Sequence, residues 1–242
     1  MKCRNADWDV DPHCSLCKGI GWLYPIKRSI STPEGDLDIP DYSRVIRCAN
    51  PGCSDDILHG RNLKERIASV SQEKREQTLE NFNAVPGSRN TFKATKQFAE
   101  QTGTFIFLLI IGDVGCGKTH LANATALKLA QAGRNVKIRN VAELIGELKD
   151  SFADNSVEAK IRAYQEIEVL ILDDYKADRT SNWGDNEIER IIDYRYQIMK
   201  PTMLTTNNSL GEIPPRLQSR FADKKCSMSI WNEAKDYRKV RS

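Results

Sequence analysis

The chain has 242 residues, 40% of them apolar, with 36 Lys and Arg against 33 Asp and Glu. That is enough apolar material for one α/β domain plus a small appendage, and a net charge of +3 is too mild to mark a nucleic-acid binder by itself. The start, MKCRNADWDVDPHC, lacks the apolar stretch of a secretory leader, and the longest apolar run, Phe105 to Ile111, is far short of the ~20 residues that span a bilayer, so a soluble cytoplasmic protein is expected.

Residues 1 to 60 are rich in Cys, Pro, Gly and Asp, with no sustained periodicity. Seven cysteines is an odd number, and in a reducing compartment a metal accounts for clustered ones better than disulfides do. Cys14-x-x-Cys17 and Cys48-x-x-x-x-Cys53 form two close pairs, the set expected for a tetrahedral structural zinc. Gly19 and Gly21 permit a tight turn after the first pair, and Asn50-Pro51-Gly52 supplies one to the second. His13, His59 and Cys3 are less well placed substitutes. A segment this poor in large apolar groups needs such a clip to fold. The charged run Arg61 to Leu79 predicts a helical connector. The expected domains are therefore a zinc module at 1–60, a connector at 61–80 and a nucleotide-binding core at 81–242.

A turn at Pro86-Gly87 and a helix over Thr91 to Gln101 precede FIFLLII, which reads as a strand buried on both faces, as parallel sheets require. A helix from Lys118 to Ala132 ends at Gly133, and Val136 to Arg139 is a short strand. Val141 to Phe152 and Ser156 to Glu166 read as helices, and Val169 to Leu172 as a second buried strand. Asp185 to Met199 predicts an amphipathic helix with Ile188, Ile191, Ile192, Tyr196 and Met199 on one face, before Pro201 and a strand at Thr202 to Thr205. Strands alternating with helices predict an α/β fold with a parallel sheet.

Gly112-Asp113-Val114-Gly115-Cys116-Gly117-Lys118-Thr119 fits Gly-x-x-x-x-Gly-Lys-Thr between a strand and a helix, a phosphate-binding loop in its proper context. Its glycines let backbone N–H groups face phosphates, and the helix dipole favours the anion. Lys118 is suited to the β and γ phosphates and Thr119 to Mg²⁺; His120 completes the segment. In VLILDD, Asp173 is the expected Mg²⁺ residue. Asp174 is the expected orienter of water, one methylene shorter than the Glu many such ATPases carry. Asn207, after the Thr202 strand, is the candidate to position that water, with Thr206 and Asn208 as local alternatives. Arg216 and Arg220 lie four residues apart on a short predicted helix.

GDVGCGKTHLANA, LILDD, WGDNEIERIIDYRYQIMKPTMLTTN and RLQSRF, in this order and spacing, resemble the DnaC/DnaI-type helicase loaders and the related IstB-like transposition ATPases of the AAA+ class. The resemblance spans roughly Thr78 to Ser242, from TLENF onward. It implies an AAA+ P-loop core with a small zinc-binding front domain. Gly112 to Thr119 would be Walker A, Asp173 and Asp174 Walker B, Asn207 sensor 1, Arg220 an arginine finger offered to the adjacent subunit, and Arg238 a sensor 2-like arginine. The residues after RLQSRF are expected to be too few for a full helical lid. The family implies ATP and Mg²⁺ as cofactors, and a hexameric replicative helicase and single-stranded DNA as partners, with a homo-oligomer or assembly on the helicase ring. Zinc-bearing amino-terminal helicase-binding domains occur in loaders of the DnaI kind. A transposition helper on duplex DNA and an ATP-binding adaptor that scarcely hydrolyses are the alternative readings. Lys224, Lys225, Lys235, Arg238, Lys239 and Arg241 crowd the C-terminal end and suit phosphates of a single strand.

Overall fold

The computed structural model describes residues 76–176 and 183–237 with their side chains, residue 182 by its backbone, and four short strands before residue 76 by backbone alone. The chain divides into two compact units, 1–65 and 66–242, each described by itself.

In the first unit β1 (Trp22–Leu23) pairs antiparallel with β4 (Ile46–Arg47), and β2 (Ile26–Thr32) pairs antiparallel with β3 (Gly35–Pro40). The second pair closes tightly, with Thr32 opposite Gly35. The sequence reading found no periodicity here, yet Asp36-Leu37-Asp38-Ile39 alternates with the two-residue period of a strand. The four proposed zinc cysteines and the expected connector helix before residue 76 lie outside the described residues.

The second unit begins with α1 (Arg89–Glu100) and β5 (Phe107–Gly112), then α2 (Lys118–Gln131), β6 (Val136–Asn140), α3 (Val141–Asp150) and α4 (Val157–Glu166). It continues through β7 (Val169–Tyr175), α5 (Asn182–Gln197), β8 (Thr202–Thr206), α6 (Pro215–Phe221) and β9 (Ser227–Asn232). The five strands β5 to β9 form one parallel sheet in the order β6-β7-β8-β5-β9. Strand β9 is absent from the sequence reading. SMSIWN is short, half polar and only partly buried, so it carries no apolar run.

Alternate residues of β5 face opposite ways, as a strand dictates. Phe107, Leu109 and Ile111 join Leu170, Leu172 and Leu204 under α3 to α6, while Leu108 and Ile110 join Ile171 and Met203 under α1 and α2. Each fully buried side chain of this kind contributes about 2 kcal/mol from burial. Ile188, Ile191 and Ile192 are fully buried as the periodicity of α5 requires, but Met199 is 54% exposed, because the helix ends at Gln197 and Met199 adopts φ +54°.

One buried cation organises the bottom of the sheet. Arg195, fully buried in the last turn of α5, donates to the carbonyls of Tyr164, Gln165, Ile167, Glu168 and Pro201 and to Thr202 Oγ1. Burial pushes its guanidinium down to about 9, so it remains protonated at neutral pH. It satisfies carbonyls at the C-terminal end of α4 that the helix leaves unpaired, and it ties the start of β7 to the start of β8. Nothing in the local sequence distinguishes it from a solvated arginine.

Candidate nucleotide site

Strand β8 leads across β5 to β9, so the carboxyl ends of β5 and β8 flank a change of direction in the sheet, the usual place for a ligand crevice in open α/β folds. A cavity of about 810 Å³ opens there. One wall is the loop between β5 and α2. Gly115 and Gly117 take φ +81° and +93°, which favour glycine. A Cβ at Gly117 would lie 2.9 Å from the Phe82 ring, and one at Gly115 only 1.9 Å from Asp236 Oδ1. Gly117 is also the N-cap of α2 and supplies no side chain to the first-turn N–H groups, which leaves them for an anion.

Lys118 is 7% exposed, and its Nζ donates to the carbonyls of Gly112 and Asp113 at 2.8 Å each and to Cys116 Sγ at 3.7 Å. A buried ammonium held by carbonyls without a carboxylate suits a phosphate. Val114 to His120 all line the cavity; Gly112 ends β5, and Asp113 contributes through its carbonyl. Cys116 is buried, and its carbonyl accepts from Asn232 Nδ2 at 2.9 Å.

The facing wall comes from β7 and β8. Leu172 sits opposite Leu204 and Tyr175 opposite Thr206, so Asp173 and Asp174 together oppose the single residue Thr205. This is a β-bulge, a device that re-aims side chains beside active sites. Asp174 accordingly takes φ +57°, a conformation Asp tolerates better than most residues. Thr205 Oγ1 donates to Asp173 Oδ1 at 2.6 Å and accepts from the Asp174 N–H at 2.9 Å. Asp173 stays 6% exposed beneath, whereas Asp174 lines the cavity, where Asn207 Nδ2 reaches its Oδ1 at 3.2 Å and Lys176 Nζ its Oδ2 at 3.1 Å. Of the alternatives to Asn207, Thr206 and Asn208 bond to each other instead; Thr206 Oγ1 donates to the Tyr175 carbonyl and accepts from the Asn208 N–H.

Sequence reasoning missed Thr205 and Lys176. Thr205 reads as an ordinary strand residue, and only the register reveals its two hydrogen bonds to the aspartates. The third wall was also unforeseen as a wall. Glu76 and Gln77, at the end of the stretch read as a connector, line the cavity with Asn81, Phe82 and Asn83. His120 Nε2 donates to the Thr78 carbonyl at 2.8 Å, and the Phe82 ring stacks on Phe92 and meets His120 edge-on. Across the opening, the Tyr237 N–H donates to the Gly115 carbonyl at 3.0 Å, and Asn83 Nδ2 donates to Tyr237 Oη at 3.1 Å.

Of the two expected arginines only Arg220 is among the described residues, and it does not line this cavity. Arg238 lies outside the described residues, and Arg220 projects from α6 onto Asp193, with Nε to Oδ1 at 2.8 Å. The basic C-terminal cluster is not one patch among the described residues: Lys224 and Lys225 precede β9, and Lys235 follows it, on the cavity wall. Among the described residues no group of three His, Cys, Asp or Glu side chains could cage a metal ion. Mg²⁺ bound by one carboxylate, a hydroxyl and phosphates requires no such cage; Thr119 lines the cavity, while Asp173 is held by Thr205 and is not itself in the lining. No helix among the described residues is long and apolar enough to cross a membrane.

The chain is similar to known proteins in sequence and in fold. The chain is 27% identical over 159 residues to the replicative helicase loader DnaC of Escherichia coli K12, covering 64% of this chain and 65% of that protein. It is 32% identical over 114 residues to the replicative helicase loader DnaI of Bacillus subtilis, covering 47% of this chain and 37% of that one. The chain thus spans less than two thirds of these relatives' length. The crystal structure of the DnaC helicase loader superimposes with a TM-score of 0.59 at 22% identity, covering 67% of this chain and all of that one, which shows a shared fold. The family of IstB-like ATP binding proteins matches residues 62–231, most of the sequence and of the cavity lining, and the chain belongs to that family.

Proposed function

We propose that this protein is an ATPase that loads a replicative DNA helicase onto single-stranded DNA, with nucleotide as its switch. The observation that carries this reading is a nucleotide cavity with a complete phosphate loop facing an acid–amide pair, in a chain similar to two proteins named replicative helicase loaders. Bound ATP with Mg²⁺ supplies the phosphoanhydride and the charge neutralisation. Lys118 and the N–H groups opening α2 would hold the phosphates, and Thr119 and Asp173 would hold the metal, Asp173 being fixed by Thr205. Asp174, set forward by the bulge, accepts the proton of an attacking water that Asn207 orients. Arg220 does not line its own chain's cavity, which supports its acting on a neighbour's nucleotide in a homo-oligomer or on a helicase ring.

The reading extends to the front unit. Cys48 directly follows Arg47, and Cys17 precedes Trp22 by a short run, while Trp22 and Arg47 are cross-strand partners. That pairing supports a single zinc on Cys14, Cys17, Cys48 and Cys53, in a module that grips the helicase in the cytoplasm. The deciding experiment is co-purification with the host's replicative helicase, with and without ATP, followed by helicase deposition on a closed single-stranded circle. Absence of both removes the loader reading. The family's transposition members favour one second reading, a helper ATPase on duplex DNA. ATP-dependent binding to duplex in preference to single strands would support that reading instead.

A further inference from the structure

Arg220 is held more firmly than a surface arginine needs to be. Its carbonyl accepts from Ser227 Oγ at 2.7 Å, which pins the last turn of α6 to β9. Asp193, on α5 and only 16% exposed, takes its Nε at 2.8 Å and meets Arg216 Nε at 3.6 Å with its other oxygen. The Tyr196 ring lies beneath the guanidinium, 4.6 Å from centroid to Cζ. Tyr196 is anchored in turn: its hydroxyl donates to Asp223, whose other oxygen accepts from the Lys225 N–H. One edge and one face of the guanidinium are thus occupied, and among the described residues its terminal edge is left for another acceptor.

We infer that Asp193 and Tyr196 are positioning residues that aim Arg220 at the nucleotide of a second copy of this chain. The inference rests on the trans-acting role proposed above. An arginine fixed at backbone, edge and face arrives at the γ-phosphate already oriented, and orientation set in advance is not lost as entropy in the transition state. Arg216 shares the carboxylate but is 65% exposed, so it steadies Asp193 without being aimed itself.

The test is a mixing experiment on the full chain, with ATP turnover stimulated by oligo(dT). Asp193→Asn should leave nucleotide affinity unchanged, because Lys118 and the loop are untouched, and should lower turnover on the order of tenfold. Mixed with Lys118→Ala, which has a dead pocket but an intact finger, Asp193→Asn should recover activity. Mixed with Arg220→Ala it should not, since both defects lie on the finger side. Tyr196→Leu should show the same pattern and serves if Asp193→Asn folds poorly. A merely structural salt bridge would not distinguish the two partners. Full activity of Asp193→Asn alone, or recovery with neither partner while Arg220→Ala and Lys118→Ala complement each other, overturns the inference. If those two controls fail to complement in proven oligomers, the trans reading of Arg220 falls and takes this inference with it.

Discussion

Two facing walls of the cavity are built by opposite means. The phosphate loop is a single contiguous segment, Gly112 to Thr119, and its shape follows from two left-handed glycines and the helix they open. The facing wall is assembled from β7 and β8, whose residues Asp174 and Thr205 are 31 positions apart in sequence, and it depends on a register slip that puts two aspartates opposite one threonine. A contiguous binding wall withstands errors elsewhere in the fold. An assembled catalytic wall is only as accurate as the alignment of its strands. Damage to the first should therefore appear in binding, and damage to the second in turnover.

The harshest break is at the base of the sheet. Arg195→Met removes six hydrogen bonds, two to carbonyls in the last turn of α4 and four to residues at the starts of β7 and β8. Chemical denaturation should show a loss of at least ~3 kcal/mol, because buried carbonyls lose a charged donor. Lys118→Ala leaves the fold intact but should weaken ATP binding on the order of a hundredfold, the worth of a charge-assisted contact to phosphate; calorimetry would check it. Thr205→Val keeps the volume and the strand while deleting both bonds to the aspartates. Turnover should fall by about 2 kcal/mol in barrier, roughly thirtyfold, with ATP affinity within about twofold of the parent. Loss of affinity instead would mean that the two walls are not separable.

Smaller changes sharpen the contrast. Tyr237→Phe removes only the bond from Asn83 that joins the N- and C-terminal segments over the opening, and should raise the ATP dissociation rate about fivefold, near 1 kcal/mol. Lys176→Met breaks a pair whose lysine is 66% exposed, so turnover should change by only about twofold, in line with the ~0.5 kcal/mol typical of solvent-facing ion pairs. A stopped-flow release assay and a steady-state assay, respectively, resolve these effects.

What the sequence determined by itself is what local chemistry encodes. FIFLLII and VLILDD read as buried strands, and β5 and β7 form there, while the glycine pattern before Lys118 reads as a phosphate loop between strand and helix, because apolar runs and backbone freedom are properties of contiguous residues. Asp173, Asp174 and Asn207 were legible as strand-end polar groups for the same reason. The tertiary structure alone decided the rest. It recruited SMSIWN as the fifth strand by pairing it with β5, although the segment is short, half polar and has no continuous apolar run. It made Thr205 a bridge and raised Asp174 into the cavity through a slip of register between strands. It buried Arg195 among carbonyls and laid Arg220 on Asp193 and Tyr196. Each of these depends on which residues meet across long sequence separations, and hydrogen-bond geometry between distant segments leaves no periodic trace in a chain read alone.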